Sequence, residues 1–177
     1  MFFDIHELER QKILFEEDFL PGRPGQPVQI DLGEDVWQVE PLHVSGTAEL
    51  VGPTDIRLRG SLRTAVEVCC DRCLEPARRR VEMEFDLFYQ PIQTIAREEE
   101  VEVKREDLDV GFYHGDGLRL EDAVKEQILL SLPMKTVCRP DCAGLCPRCG
   151  QNRNISRCGC EALPADPRWA VLEKFKQ

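Results

Sequence analysis

The segment VCRPDCAGLCPRCGQNRNISRCGC, residues 137–160, carries six of the chain's nine cysteines and little with which to build a core. Thiols at that density staple a fold as disulfides, act as a redox pair or nucleophile, or ligate a metal. A chain of 177 residues, 42% hydrophobic, can bury a core without disulfides. An odd number of cysteines also leaves a disulfide set incomplete. The opening MFFDIHELERQKILFEEDF has neither a basic flank nor a long apolar run, so no secretory signal or Arg-rich transit peptide is expected, and no stretch reaches membrane-spanning length. The expected address is cytoplasmic, where thiols stay reduced and cysteine clusters bind metal or do redox chemistry.

Spacing separates those two chemistries. In CPRCG, Pro147 makes a turn that lets Cys146 and Cys149 face one ion, and Gly150 relieves the backbone as it leaves. Cys158 and Cys160 flank Gly159, and residues two apart on an extended segment share a face. Four thiolates converging across a polar loop suit tetrahedral zinc. That loop, QNRNISR, has Ile155 as its one aliphatic residue, so something other than a core must order it. A thioredoxin-like pair would need a strand before it and a helix after it, which the flanks do not offer.

The rest of the chain supplies the body. Leu42, Val44, Gly46, Ala48 and Leu50 alternate with polar neighbours, as do Ile56, Leu58, Gly60, Leu62, Val66 and Val68, and then Val81, Met83, Phe85, Leu87 and Tyr89. Such period-two runs predict long antiparallel strands with one buried face. Between the last two lies CCDRCLEP, with Asp71 and Pro76 marking a turn and Cys70 and Cys73 forming a second CxxC at a hairpin tip. REEEVEVKREDLD reads as a solvated connector with a short strand at Val101 and Val103. LRLEDAVKEQILLSLP predicts a long helix, with Leu120, Val124, Ile128 and Leu132 at helical spacing, Glu121 and Asp122 in the first turn and Pro133 as its stop. Trp169, Val171 or Leu172, and Phe175 give a short C-terminal docking helix from about 167 to 175. The expected fold is α+β: an antiparallel sheet body with one long helix over 1–132, a Cys-rich zinc segment over 133–163, and the docking helix over 164–177.

CDRCLEP on a hairpin, a helix ending in LP, then CxxxCxGLCPxCGxNxN, CxC and DPRWAVLEKF, in that order from about residue 40 onward, resembles the YceD family, the large ribosomal RNA subunit accumulation proteins. The resemblance implies a role in producing large-subunit ribosomal RNA, with genes often beside that of a small ribosomal protein. In that family the hairpin CxxC is the more constant pair, while some members lack the terminal cysteines. That variability implies two four-cysteine sites: Cys70, Cys73, Cys138 and Cys142 at the hairpin, and Cys146, Cys149, Cys158 and Cys160 beyond it. The alternative is one zinc site that joins Cys138 or Cys142 to the CPRCG pair. Cys69, next to Cys70 on a strand, should then point the other way, into the core.

Catalysis has no comparable signature. His6, His43 and His114 are scattered, DVGFYHGDG lacks phosphate-loop spacing, and four thiolates close a zinc ion's coordination. The expectation is a non-catalytic adaptor with no small-molecule substrate, the alternative being a thiol redox or metal-dependent enzyme. A net charge of −10 and a pI near 4.9 oppose general RNA binding. Locally, residues 57–80 hold seven Arg against three acids, and residues 133–160 hold five Lys or Arg against one. Contact with the large-subunit RNA precursor would therefore use Arg78, Arg79, Arg80, Arg148, Arg153 and Arg157, whereas the acidic stretches would suit a basic large-subunit ribosomal protein.

Overall fold

The computed structural model describes residues 1–22, 29–92 and 110–160. The connector strand at Val101 and Val103 and the helix from about 167 lie outside the described residues. Among the described residues ten elements follow in order: β1 (Phe2–Asp4), α1 (Ile5–Leu8), β2 (Ile13–Phe19), β3 (Val36–Gln38), β4 (Leu42–Val51), β5 (Asp55–Cys69), β6 (Pro76–Pro91), β7 (Val110–Tyr113), β8 (Gly117–Arg119) and α2 (Leu120–Ser131). The fold is α+β. Six strands make one sheet in the order β2-β4-β5-β6-β7, with β3 pairing β5 beyond the end of β4, and β1 pairs β8 in a separate ribbon.

The three alternating runs become β4, β5 and β6, antiparallel in sequence order. On β6 the inward positions Val81, Phe85 and Tyr89 are buried, while Arg80, Glu82, Glu84 and Asp86 face out. Leu42, Val44, Ile56, Leu58, Leu62 and Val66 complete that face, and α2 closes it with Leu120, Ala123, Val124 and Ile128. Their i, i+3, i+4, i+8 spacing is one stripe of a helix. At twelve residues, roughly 18 Å, α2 is of ordinary length and not the long helix expected. It stops at Leu132, whose extended φ −75° and ψ 136° are what a residue before proline must adopt.

Two features depart from a purely antiparallel body. β7 runs parallel to β6, Phe88 opposite Val110 through Pro91 opposite Tyr113. β2 forms the other edge, where the exposed Glu16 and Asp18 discourage pairing with another chain. His43 on β4 sits beside that edge with its Nδ1 2.9 Å from Asp18 Oδ1, a satisfied imidazole.

Gly46 and Gly60 face each other across β4 and β5 beneath the Phe15 and Phe85 rings. A Cβ on Gly60 would lie 2.2 Å from the Ser45 carbonyl oxygen and 3.0 Å from the Phe85 ring. Gly60→Ala is expected to cost about 1–3 kcal/mol through overpacking, measured by urea denaturation.

Candidate metal centres

Beyond the last β5–β6 pair, Cys69 opposite Pro76, the hairpin turns through a tight loop. Cys70 N donates to Glu75 O at 2.9 Å, and Leu74 N donates to Cys70 O at 2.9 Å. The CPRCGQ turn repeats this pattern residue for residue: Leu145 bridges Asn152, Cys146 N donates to Gln151 O at 2.8 Å, and Gly150 N donates to Cys146 O at 2.9 Å. Both turns have an arginine in third place, Arg72 and Arg148, and both need a left-handed residue after the second cysteine. Gly150 meets that need freely at φ 73°, whereas Leu74 sits at φ 61°, a conformation that costs an L-residue about 1–2 kcal/mol.

Each turn gathers four sulfurs. Cys70, Cys73, Cys138 and Cys142 form an inner group and Cys146, Cys149, Cys158 and Cys160 an outer one, the Sγ atoms of each lying within 4.8 Å of one another. Within the inner group Cys70 Sγ is 3.9 Å from Cys142 Sγ, and Cys73 Sγ is 3.6 Å from Cys138 Sγ. A tetrahedral ion with metal–sulfur bonds of ~2.3 Å has sulfur–sulfur edges of ~3.8 Å, so the donor set fits a zinc-sized ion.

The chain leaving α2 is pinned onto the hairpin tip to bring in the second inner pair. Asp71 N donates to Thr136 O at 2.8 Å and Thr136 N to Asp71 Oδ2 at 2.5 Å. Arg79 Nη2 donates to Val137 O at 2.6 Å, Arg72 Nη1 to Cys142 O at 3.0 Å, and Leu145 N to Arg72 O at 2.8 Å. Gly144, at φ 70°, passes so close that a Cβ would stand 2.9 Å from Arg72 O. Cys70, Cys73 and Cys142 share a small buried cluster with Val68 and Ala77, against which Val36, Leu132, Val137 and Leu145 pack. In the outer group only Cys146 is buried, and Cys149 and Cys160 are exposed.

The thiols of each group do not ionise alike. Burial pushes Cys70 up, but amides of Cys138, Arg72 and Cys73 outweigh it and bring it to about 6. The Glu75 amide would lower Cys73, yet burial and the three sulfurs around it push it up to about 12. In the outer group the Cys149 and Arg148 amides lower Cys146 to about 6, while the Cys149 sulfur and burial raise Cys160 to about 12. A first thiolate is favoured and a full set repels itself. A divalent cation at the centre removes that conflict.

Cys69 corrects its expectation. It is half-exposed and outside both groups, because Val68 and Cys70 turn inward into the small cluster around the thiols, leaving Cys69 on the outer side of the hairpin. The arginines divide too. Arg78 pairs with Glu40, and Arg79 is half-buried against Val137. Arg80, Arg148, Arg153 and Arg157 are exposed, the last three within the sequence span of the outer cysteines. Sequence reasoning gave no role to Arg72 and Asn154, and read Asp71 as a turn marker, not as the residue that pins Thr136. The matching third-place arginines in CDRC and CPRC were the available signal for Arg72.

A sheet whose hairpin tip carries one CxxC turn, with a like-built turn beside it and each completed to four cysteines by later chain, defines a β-sheet protein with paired four-cysteine groups able to hold a metal. The chain belongs to the family of the large ribosomal RNA subunit accumulation protein YceD, whose family model matches residues 58–176. It is 38% identical over 104 residues to an uncharacterized protein of Mycobacterium tuberculosis, covering 58% of this chain and 47% of that one. It is 31% identical over 129 residues to the chloroplastic large ribosomal RNA subunit accumulation protein YCED homolog 1 of Zea mays, covering 60% of this chain and 44% of that one. An uncharacterized protein of Mycobacterium leprae matches at 28% over 172 residues, covering 90% and 76% of the two chains. The chain thus spans about half the length of the M. tuberculosis and maize relatives. No solved structure matches it. No helix among the described residues is long and apolar enough to cross a membrane.

Proposed function

We propose that this chain is a non-catalytic, zinc-binding adaptor that supports accumulation of large-subunit ribosomal RNA in the cytoplasm, with its eight clustered cysteines holding two zinc ions and its exposed arginines meeting the precursor RNA. The observation that carries this reading is the packing of four sulfurs at tetrahedral-edge distances. Four thiolates leave zinc no open position for substrate, so the ion serves to order chain. The maize relative's name refers to large ribosomal RNA subunit accumulation, and the family's does likewise.

Arg148, Arg153 and Arg157 supply the contact. A tetrathiolate zinc centre carries about −2, and these three exposed arginines lie between its cysteines in sequence. Their planar forks pair phosphates and stack on unpaired bases. Arg80, also exposed, is a further candidate, whereas Arg78 pairs with Glu40 and Arg79 is held on the Val137 carbonyl.

The variant Arg148→Glu/Arg153→Glu/Arg157→Glu is expected to keep both metals and to lose the large-subunit RNA precursor that co-purifies with the wild type. In vitro the salt dependence of RNA binding should fall by a slope of roughly 2–3, the share of three phosphate contacts. If the variant retains the RNA, the partner is instead a basic protein on the acidic edge of β2, and reversing Glu16, Glu17 and Asp18 should release it.

A further inference from the structure

One side chain of the outer loop reaches a sulfur of the inner group. Asn154 lies in the loop between Cys149 and Cys158, so its position depends on the outer group, yet its bonds reach the inner one. Its Oδ1 accepts from Ala143 N at 2.8 Å and from Arg139 Nη2 at 2.8 Å. A backbone N–H must meet an oxygen, which turns the amide so that Nδ2 donates to Cys142 Sγ at 3.3 Å and to Asn152 Oδ1 at 2.9 Å. Asn152 in turn reaches Glu75 beside the first turn, Nδ2 to Oε1 at 3.3 Å, and Arg153 N donates to Gly144 O at 2.9 Å.

This loop has no apolar anchor. Ile155 is 76% exposed, and Gln151, Arg153 and Ser156 face solvent. Its order rests on polar bonds and on whatever holds Cys146, Cys149, Cys158 and Cys160 together, so filling the outer group and fixing Asn154 are one event. An N–H aimed at a sulfur stabilises the thiolate, and thiolate is what a metal binds. Linkage is reciprocal, so tightening must run in both directions.

We propose that metal in the outer centre tightens metal in the inner one, and that Asn154 is the residue that couples them. The inference rests on the metal-binding reading above. It assigns the outer centre a task besides ordering its own loop, and makes the inner, buried centre the one whose affinity is adjusted.

The test uses the full chain, loaded with zinc, competed with a chelator, and reloaded with cobalt so that the thiolate charge-transfer band reports each centre. Cys158→Ser/Cys160→Ser, which disables the outer centre, is expected to weaken the inner centre about 10–100-fold. Asn154→Ala should weaken it by the same factor in the otherwise intact chain, and add nothing when combined with Cys158→Ser/Cys160→Ser. Asn154→Asp keeps the shape but cannot donate to sulfur, so it should match or exceed Asn154→Ala, whereas a space-filling role would spare it. In a Cys70→Ser/Cys73→Ser background Asn154→Ala should leave the outer affinity unchanged. Effects of Asn154→Ala and Cys158→Ser/Cys160→Ser that multiply, or an inner affinity indifferent to both, overturn the coupling while leaving two metal centres standing. A wild-type chain that takes up neither zinc nor cobalt overturns the metal reading and the coupling with it.

Discussion

Cys146→Ser/Cys149→Ser is expected to bind one zinc where the wild type binds two, and to lose amide protection from about 146 to 160 down to that of an unstructured peptide. The reason is the scarcity of other fastenings. The outer turn has one isolated bridge, an exposed isoleucine, and polar bonds within itself and from residues 152–154 to the neighbouring chain, so a bound metal would supply most of its folding free energy. The sheet owes it nothing of that kind: β5 and β6 are joined by fourteen paired positions over a core that includes Leu58, Leu62 and Phe85. Hydrogen exchange with metal analysis checks both halves. Loss of protection throughout β5 and β6 would sink the idea that the body stands alone.

Cys70→Ser/Cys73→Ser should do the complementary damage. It removes two donors from a buried cluster and leaves hydroxyls against Val68, Ala77 and Leu132. The crossing of residues 133–145 over the hairpin then hangs on the Asp71–Thr136, Arg79–Val137, Arg72–Cys142 and Leu145–Arg72 bonds and the packing of Val137 and Leu145. Protease cleavage within 133–145 should become rapid, and the thermal midpoint should fall by roughly 10 °C, because Leu132 and Val36 pack against both this cluster and the main core. One zinc should remain, held by the outer four cysteines within fifteen residues. A variant that loses both ions would show that the outer turn needs the inner centre to form at all.

How far such geometry can be read from residue order depends on where the information sits. β4, β5 and β6 announce themselves because apolar residues or glycine recur at every second position of their alternating runs, broken only at Thr64, and α2 because its leucines, valine and isoleucine recur at helical spacing. β2 does not. In ILFEEDF the exposed Leu14 interrupts the alternation and Glu17 occupies an inward position, so pairing with β4 makes the strand. The parallel place of β7 is set by a distant partner and by no pattern in VGFY. At the centres the cysteine spacing was legible, but charge alone could not say which arginines were free. Arg79 and Arg153 look alike in sequence, and only one meets a carbonyl 58 positions away. Asn154 carries even less signal, since its sulfur partner lies outside its own CxxC unit.

The separation of the inner thiols along the chain also sets an order of events during synthesis. Cys73 and Cys138, 3.6 Å apart when folded, are 65 residues apart in sequence. At about 5–20 residues per second the first pair waits about 3 to 13 seconds for the second. The outer group, spanning fifteen residues, is complete within a few seconds at most of its first cysteine. During the longer wait the β5–β6 hairpin can already close and hold Cys70 and Cys73 side by side, half a cage with two uncovered thiols. Two thiols that the folded chain buries thus stand uncovered for as long as the ribosome takes over residues 74–138.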